Sequence, residues 1–130
     1  MTQADPENQV DRFILEEIDS VPHLEALLLL CRNKQRTWRV EEMAHSLYVK
    51  PEQAENILQD LVRRNLVLVR TEGEKGYAYD SSSENRNALL QQVDETYRRE
   101  LIRVSRMIHS KAAPAIRDFA RAFRFTKEKE

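Results

Sequence analysis

Apolar residues in the middle of the chain follow a helical period. In residues 20–31, 40–47 and 51–63 they recur at i, i+3, i+4 and i+7, which predicts three amphipathic helices, each with one buried face. Only three residues separate the second segment from the third, and Pro51 suits the first position of a helix. Two helices joined by so short a turn predict a helix-turn-helix.

The period changes from helical to extended in the next segment. Leu66–Thr71 and Tyr77–Asp80 are rich in β-branched and aromatic residues and predict two strands. Gly73 and Gly76, the only glycines, lie between them, where a tight hairpin needs positive φ. We also predict a short first strand at Trp38, which pairs with this hairpin. The predicted fold class is mainly α with a small β-hairpin, a winged helix-turn-helix followed by a helical extension.

Helical segments flank the predicted winged domain on both sides. Residues 1–9 are polar and predict a loose arm, and residues 11–18 predict a short helix. Three serines at positions 81–83 predict a linker, one of them capping the next helix. We therefore predict three parts: the arm and short helix over 1–19, the winged domain over 20–80, and a helical extension for dimerisation over 81–130.

The extension carries a long apolar stripe. Five steps cover the 18 residues from Leu90 to Ile108, a mean of 3.6, which predicts one straight helix of roughly 25 residues, about 38 Å long. A final helix is predicted from residue 110 or 111. We expect the stripe to close against a second copy in a homodimer; packing within one chain, with the 11–18 helix, is the alternative. The expected interface consists of Leu90, Val93, Tyr97, Leu101, Val104, Ile108, Phe119 and Phe123.

Composition places the chain among soluble globular proteins. Its 130 residues are 33% charged and 41% hydrophobic. No apolar run is long enough to span a bilayer, and the N-terminus lacks the features of a secretory signal. The single cysteine, Cys31, excludes an internal disulfide. We therefore expect a cytoplasmic protein with no membrane association.

Charge is unevenly distributed along the chain. The net charge is −1, but residues 1–96 hold 11 Lys and Arg against 18 Asp and Glu, whereas residues 97–130 hold 10 against 4. The winged part is therefore acidic and the tail basic. Because phosphate neutralisation supplies most non-specific affinity for DNA, this asymmetry bears directly on what the protein binds.

Catalytic chemistry has little support in the sequence. There is no glycine-rich phosphate loop, no Cys or His cluster with metal-ligand spacing, and no nucleophile motif, so we expect no enzyme activity, metal or cofactor. His45 is interpreted as a surface histidine rather than a zinc ligand, and Cys31 as a packed thiol rather than a sensor. Trp38, Tyr97 or Phe119 could line an effector cavity, but core packing is the favoured interpretation.

The outer face of the predicted third helix carries the residue types that recognise bases. Its spacing brings together Glu52, Asn56, Gln59 and Arg63, with Gln53 beside them. Asn and Gln pair well with adenine, and Arg with guanine. Carboxylates on the same face are repelled by phosphate. A solvated helix face without a partner is therefore the alternative interpretation.

The segment from about Val21 to Tyr79 resembles the winged helix-turn-helix domains of bacterial transcription regulators. The resemblance lies in the pattern Trp38…Glu42-Met43-Ala44…Leu47-Tyr48-Val49…Pro51…Leu58…Leu61-Val62…Asn65-Leu66-Val67. The helical extension is similar in layout to PadR-like repressors. This resemblance implies a homodimer that places two third helices in successive major grooves of double-stranded DNA. The implied DNA contacts are Arg39, Lys50, Gln53, Asn56, Gln59, Arg63 and Lys75.

Two functions remain open at this point. In the first, the protein is a dimeric DNA-binding transcriptional regulator. In the second, it is a winged-helix protein-interaction module without DNA binding, and its basic helical tail docks an acidic partner.

Overall fold

The computed structural model describes residues 6–111 of the chain and confirms the predicted fold class. None of the described helices combines the length and the apolar character that crossing a membrane requires. Along the chain, the elements are α1 (Pro6–Glu17), α2 (Val21–Arg32), α3 (Val40–Leu47), α4 (Pro51–Arg63), β1 (Val67–Arg70), β2 (Gly76–Tyr79), α5 (Glu84–Arg99) and α6 (residues 101–111).

Local side-chain chemistry sets where the helices begin. Ser20 caps α2 by accepting a hydrogen bond from the backbone N–H of His23 at 3.3 Å, and Ser83 caps α5 by accepting from Arg86 at 3.1 Å. Both serine caps were predicted. Arg39 precedes α3, and its own backbone N–H donates to the Glu42 carboxylate at 2.9 Å. That bond supplies half of a capping box at a position without Ser or Thr.

The wing is a two-stranded antiparallel hairpin with a third segment along its edge. Val67 pairs with Tyr79 and Val69 with Tyr77. The backbone of Trp38 exchanges two hydrogen bonds with Tyr77, at 2.7 and 2.8 Å, and so confirms the predicted first strand. All four residues of β2 are buried, which makes this strand part of the core as well as of the wing.

Gly76 has a packing role that Gly73 lacks. A Cβ at Gly76 would overlap the side chain of Thr37 and lie 3.2 Å from the carbonyl oxygen of Trp38, because the first strand crosses closely there. Gly73 instead has φ +79° and open space around it. The two glycines therefore serve different needs, close approach at Gly76 and left-handed backbone at Gly73.

Gly76→Val is expected to lower the free energy of unfolding by about 1–3 kcal/mol, since the added atoms force the first strand away from β2. Urea denaturation followed by circular dichroism measures this loss. Gly73→Asn is the matched control, because Asn tolerates left-handed backbone and its Cβ meets no neighbour. Equal destabilisation by both changes would contradict the distinction between the two glycines.

One continuous apolar core joins the winged domain to the flanking helices. Leu28 of α2, Met43 of α3 and Leu58 of α4 are fully buried in it, together with Ile14 of α1 and Val93 of α5. α1 packs against α5, and α2 packs against both α4 and α5. Arg32 of α2 adds a two-bond ion pair to Asp94 of α5, at 2.7 and 3.0 Å.

The first helix is longer than the sequence indicated. It begins at Pro6 rather than Asp11, so the end of the predicted arm is helical. Its buried side chains include Val10, ahead of the predicted start. Polar residues around Pro6 concealed this beginning, because Pro is accepted in the first turn of a helix and gives no apolar signal.

The predicted single long helix is wrong, because it breaks at Glu100. This residue leaves the helical region (φ −127°, ψ 51°); its N–H still donates to Thr96 at 2.7 Å, and its carbonyl accepts from Val104 at 3.0 Å. Glu100 thus ends α5 and begins α6. No glycine or proline marks the break. The predicted start of a final helix at residue 110 or 111 lies inside α6.

Most of the expected dimer-interface residues that the structure describes are buried within a single chain. The interface residues on α5 and α6 pack within a single chain, as in the alternative arrangement with the predicted 11–18 helix. The exception is Leu101, with 48% of its surface exposed, and its neighbour Ile102 is 62% exposed. Phe119 and Phe123 lie outside the described residues. The members buried in the chain's own core, each at most 7% exposed, are Leu90, Val93, Tyr97, Val104 and Ile108.

Candidate nucleic-acid interface

α4 begins directly after a three-residue turn and presents one polar face to solvent. Its buried face consists of Ala54, Ile57, Leu58 and Leu61, as the spacing predicted. The tight turn (residues 48–50) keeps α3 and α4 packed together. The outer face of α4 is therefore held on a rigid two-helix unit.

The exposed amides lie in the first half of α4. Gln53 and Asn56 are exposed, and neither makes a side-chain hydrogen bond among the contacts of residues 6–111. Gln59 is half-buried and donates weakly to Glu55 at 3.4 Å. Of the three predicted amide contacts, Gln53 and Asn56 are thus the ones that the fold leaves available to a ligand.

Open backbone N–H groups lie at the N-terminal end of α4, between exposed Lys50 and exposed Glu52. Lys50 precedes the helix and is exposed, and its side chain does not cap the first turn. Backbone N–H groups at the start of a helix carry a partial positive charge, and Lys50 adds a full one. The N–H groups and Lys50 suit an anion such as a DNA phosphate, whereas the Glu52 carboxylate repels one.

Arg63 lies at the other end of α4 and is already paired. Its guanidinium contacts the carboxylate of Asp60, which also accepts a hydrogen bond from His23 at 2.8 Å. Ten residues separate Arg63 from Gln53, about 15 Å along a helix. The structure therefore does not bring Arg63 together with the exposed amides.

His23 and Arg64 clamp the last turns of α4 onto the junction of α1 and α2. The imidazole of His23 contacts Ser20 Oγ at 2.6 Å and Asp60 at 2.8 Å. Arg64 bonds to Asp19 at 2.8 Å and to the Glu16 carbonyl oxygen at 3.1 Å. These contacts link segments 37 to 48 residues apart and fix the direction in which α4 points.

The same cluster contains three groups with metal-ligand chemistry. Ligand atoms of Asp19, His23 and Asp60 all lie within 4.8 Å of one another. However, Arg64 pairs with Asp19 and Arg63 pairs with Asp60, which also accepts a hydrogen bond from His23. Among the described residues, this cluster therefore acts as an internal clamp rather than as a metal centre.

Arg39 and Lys75 form a second group beside the wing, separate from the α4 residues. Arg39 pairs with Glu74 at 3.3 Å, and both side chains are at least half exposed. Arg39 and Glu74 border an open groove of about 650 Å³ between the wing and the start of α3. Its charged lining is two arginines against three glutamates, Arg39, Arg70, Glu42, Glu72 and Glu74. This balance makes the groove a poor phosphate site.

Cys31 lies beside a smaller groove of about 280 Å³, between α2 and α5. Burial raises the pKa of its thiol to about 12, so the thiol stays protonated near neutral pH. A protonated thiol is a poor nucleophile, in agreement with a packing role. Trp38 and Tyr97 are buried in the core, in agreement with the favoured interpretation, and Phe119 lies outside the described range.

Two residues that shape this face were not identified from the sequence. No local sequence pattern identifies the role of His23, because its partner Asp60 is 37 positions away. A local pattern does point to Tyr48: the turn between α3 and α4 requires a left-handed residue, and residues 48–50 include neither Gly nor Asn. Tyr48 takes that position and is 93% exposed.

No protein-family model and no curated protein matches this sequence. Solved structures do match. The DNA complex of MepR from Staphylococcus aureus has 12% identity and a TM-score of 0.53, over 95% of this chain and 91% of that one. A MarR family protein from Bacillus stearothermophilus has 17% identity and a TM-score of 0.52, over 95% and 84%. RV1404 from Mycobacterium tuberculosis has 18% identity and a TM-score of 0.53, over 76% of this chain and 65% of that one.

At these identities, the similarity establishes the fold. The chain has the winged helix-turn-helix fold of bacterial transcription regulators, as the sequence resemblance predicted, and two of the similar structures are MarR family proteins. The PadR-like layout of the tail stays a prediction.

Proposed function

We propose that the protein is a homodimeric DNA-binding transcription regulator without catalytic activity, which acts in the cytoplasm and places α4 in the major groove. The observation that carries this proposal is the exposed pair Gln53 and Asn56 in the first half of α4. In helix-turn-helix proteins, the N-terminal residues of the second helix contact base edges. The similar MepR structure is a complex with DNA.

Part of the acidic charge near this face is neutralised within the chain. Asp60 is turned toward His23 and Arg63, and Glu74 pairs with Arg39. Glu52 remains exposed in the first turn of α4. An exposed Glu in this position can accept from the amino group of cytosine, so it constrains the sequence that the helix reads.

Exposed apolar residues on α6 support the homodimer. Leu101 and Ile102 are adjacent, and about half or more of each side chain is exposed. A two-fold axis brings the same patch of both copies together, so a small patch is doubled at the interface. In the proposed complex, the axis sets the two α4 helices about 34 Å apart, one turn of DNA.

The alternative function, docking of an acidic partner by the basic tail, has less support. Arg98 pairs with Asp94 at 3.2 Å, and Arg103 pairs with Asp11 at 3.0 Å. Arg99 contacts Glu100 at 3.4 Å. These carboxylates offset part of the positive charge that the alternative needs. Charge reversal at Arg99 and Arg103 would disrupt assembly under the alternative, and light scattering detects that change.

A salt titration tests the proposed function without knowledge of the operator. Fluorescence anisotropy measures binding to a labelled random-sequence duplex between about 50 and 200 mM salt, with mass in solution measured in parallel. The expected result is binding by a dimer whose affinity falls at least about tenfold over this range, because several counterions are released. Absence of binding at the lowest salt would contradict the proposal.

A further inference from the structure

Tyr48 holds the turn between α3 and α4 in a conformation that tyrosine rarely adopts. Its backbone is left-handed (φ 59°, ψ 44°), and its N–H closes α3 by donating to the carbonyls of Ala44 and His45. The other left-handed residues of the described chain are Asn65 and Gly73, the two types that favour this region. Of these three left-handed residues, Tyr48 is therefore the one whose residue type disfavours the conformation.

The hydrogen bonds that close α3 require a left-handed residue at this position, but they do not require tyrosine. A left-handed residue with a Cβ is less stable than glycine, because the Cβ approaches the carbonyl oxygen. Packing could offset that cost, but 93% of the Tyr48 surface is exposed. The fold therefore accounts for the left-handed backbone but not for the choice of tyrosine over glycine or asparagine, and local backbone strain clusters at positions that serve a ligand. The side chain of Tyr48 therefore points to a contact outside the chain.

The surroundings of Tyr48 indicate the chemistry of that contact. Two residues further along is exposed Lys50, and Pro51 then begins α4, whose first turn has no side-chain cap. Ser46 on the other side of the turn is also exposed. A phenol hydroxyl, an ammonium and open backbone N–H groups are donors, and together they match the oxygens of a phosphate.

We infer that Tyr48 is a DNA-backbone contact, donating its hydroxyl to a phosphate oxygen beside the major groove that α4 enters. This inference rests on the proposed function and adds a residue to it. A phosphate contact carries no sequence information but fixes the register of the protein on the duplex. Tyr48 thus positions α4, so that Gln53 and Asn56 reach base edges.

Tyr48→Phe tests the hydroxyl, since it keeps the ring and the backbone conformation. On a labelled random-sequence 30-base-pair duplex, we expect binding to weaken at least about tenfold, because each subunit of the proposed dimer loses one hydrogen bond to a charged group. Its salt dependence should equal that of the unaltered protein, because no charge is lost. Lys50→Gln is the contrast: it should reduce the slope of log affinity against log salt by about two, one for each subunit of the proposed dimer.

Tyr48→Gly tests the strain independently of DNA. We expect its Tm to rise by about 2–4 °C while its DNA affinity falls at least as far as that of Tyr48→Phe. A change that stabilises the fold and weakens binding separates a ligand contact from a structural role. A lower Tm for Tyr48→Gly would overturn the claim of uncompensated strain.

Three results would overturn the inference, and they are distinguishable. Equal affinity of Tyr48→Phe and the unaltered protein would overturn the hydroxyl contact alone. A change in mass by light scattering in the Tyr48 variants would assign the residue to a protein interface. Failure of the unaltered protein to bind the duplex would overturn the proposed function, and this contact with it.

Discussion

Replacing both Gln53 and Asn56 by alanine is expected to lower the affinity for a selected operator duplex by about 100-fold or more. Each amide can form two hydrogen bonds to one base, and each such pair contributes about 1–3 kcal/mol of discrimination. The loss occurs in both half-sites of a dimer. Both side chains are exposed and make no contacts that hold the described fold together, so the Tm should stay within about 2 °C.

A matched double variant controls for the loss of exposed amides in general. Asn85 and Gln91 are exposed on α5, away from α4, and Asn85→Ala with Gln91→Ala makes the same two chemical changes there. This control should bind the operator like the unaltered protein. If the α4 variant also retains full affinity, base recognition by these two residues is excluded.

Val93→Asp is expected to lower the free energy of unfolding by about 4 kcal/mol or more, a large part of the stability of an ordinary domain. Val93 is 0% exposed within one chain and lies where α5 packs on the rest of the core. A carboxylate there is desolvated, and the surrounding residues are apolar. Urea denaturation at several protein concentrations measures the effect.

Ile102→Asp is the control for this prediction, because Ile102 is 62% exposed. It should leave each chain folded and convert the proposed dimer to monomers in light scattering. The opposite pattern would contradict the packing described above: a folded monomer from Val93→Asp would mean that Val93 faces a second copy rather than the core of its own chain.

The winged domain could be predicted because its signals are local. Ser20, Pro51 and the two glycines each mark a boundary through the chemistry of a few neighbouring residues, and the helical spacing distinguishes the buried faces. The pairing of Trp38 with the wing also follows from order alone, since the first strand has only the hairpin beside it.

The helical tail could not be predicted in the same way. The break at Glu100 has no glycine or proline, and an apolar stripe looks the same whether it faces α1 or a second copy. Arg103 illustrates the difference: its partner Asp11 is 92 residues away. Packing over such distances in sequence decides which side chains stay free for assembly.

The candidate interface was predictable in part. Helical spacing correctly placed Gln53 and Asn56 in exposed positions, but it could not show that Asp60 turns toward His23 or that Arg63 follows it. Those contacts depend on how α2 and α4 cross. Because Asp60 and Arg63 are engaged in these contacts, the residues available to contact bases lie in the first half of α4. They are fewer than the seven residues that the family resemblance implied.

The most direct test of DNA recognition is selection of duplexes from a random pool by the purified protein, followed by sequencing. A dimer that reads bases through α4 should enrich an inverted repeat whose half-sites are centred about 10–10.5 base pairs apart, one turn of DNA. A pool that retains random sequence after repeated rounds, under salt conditions where the protein binds, would contradict the account.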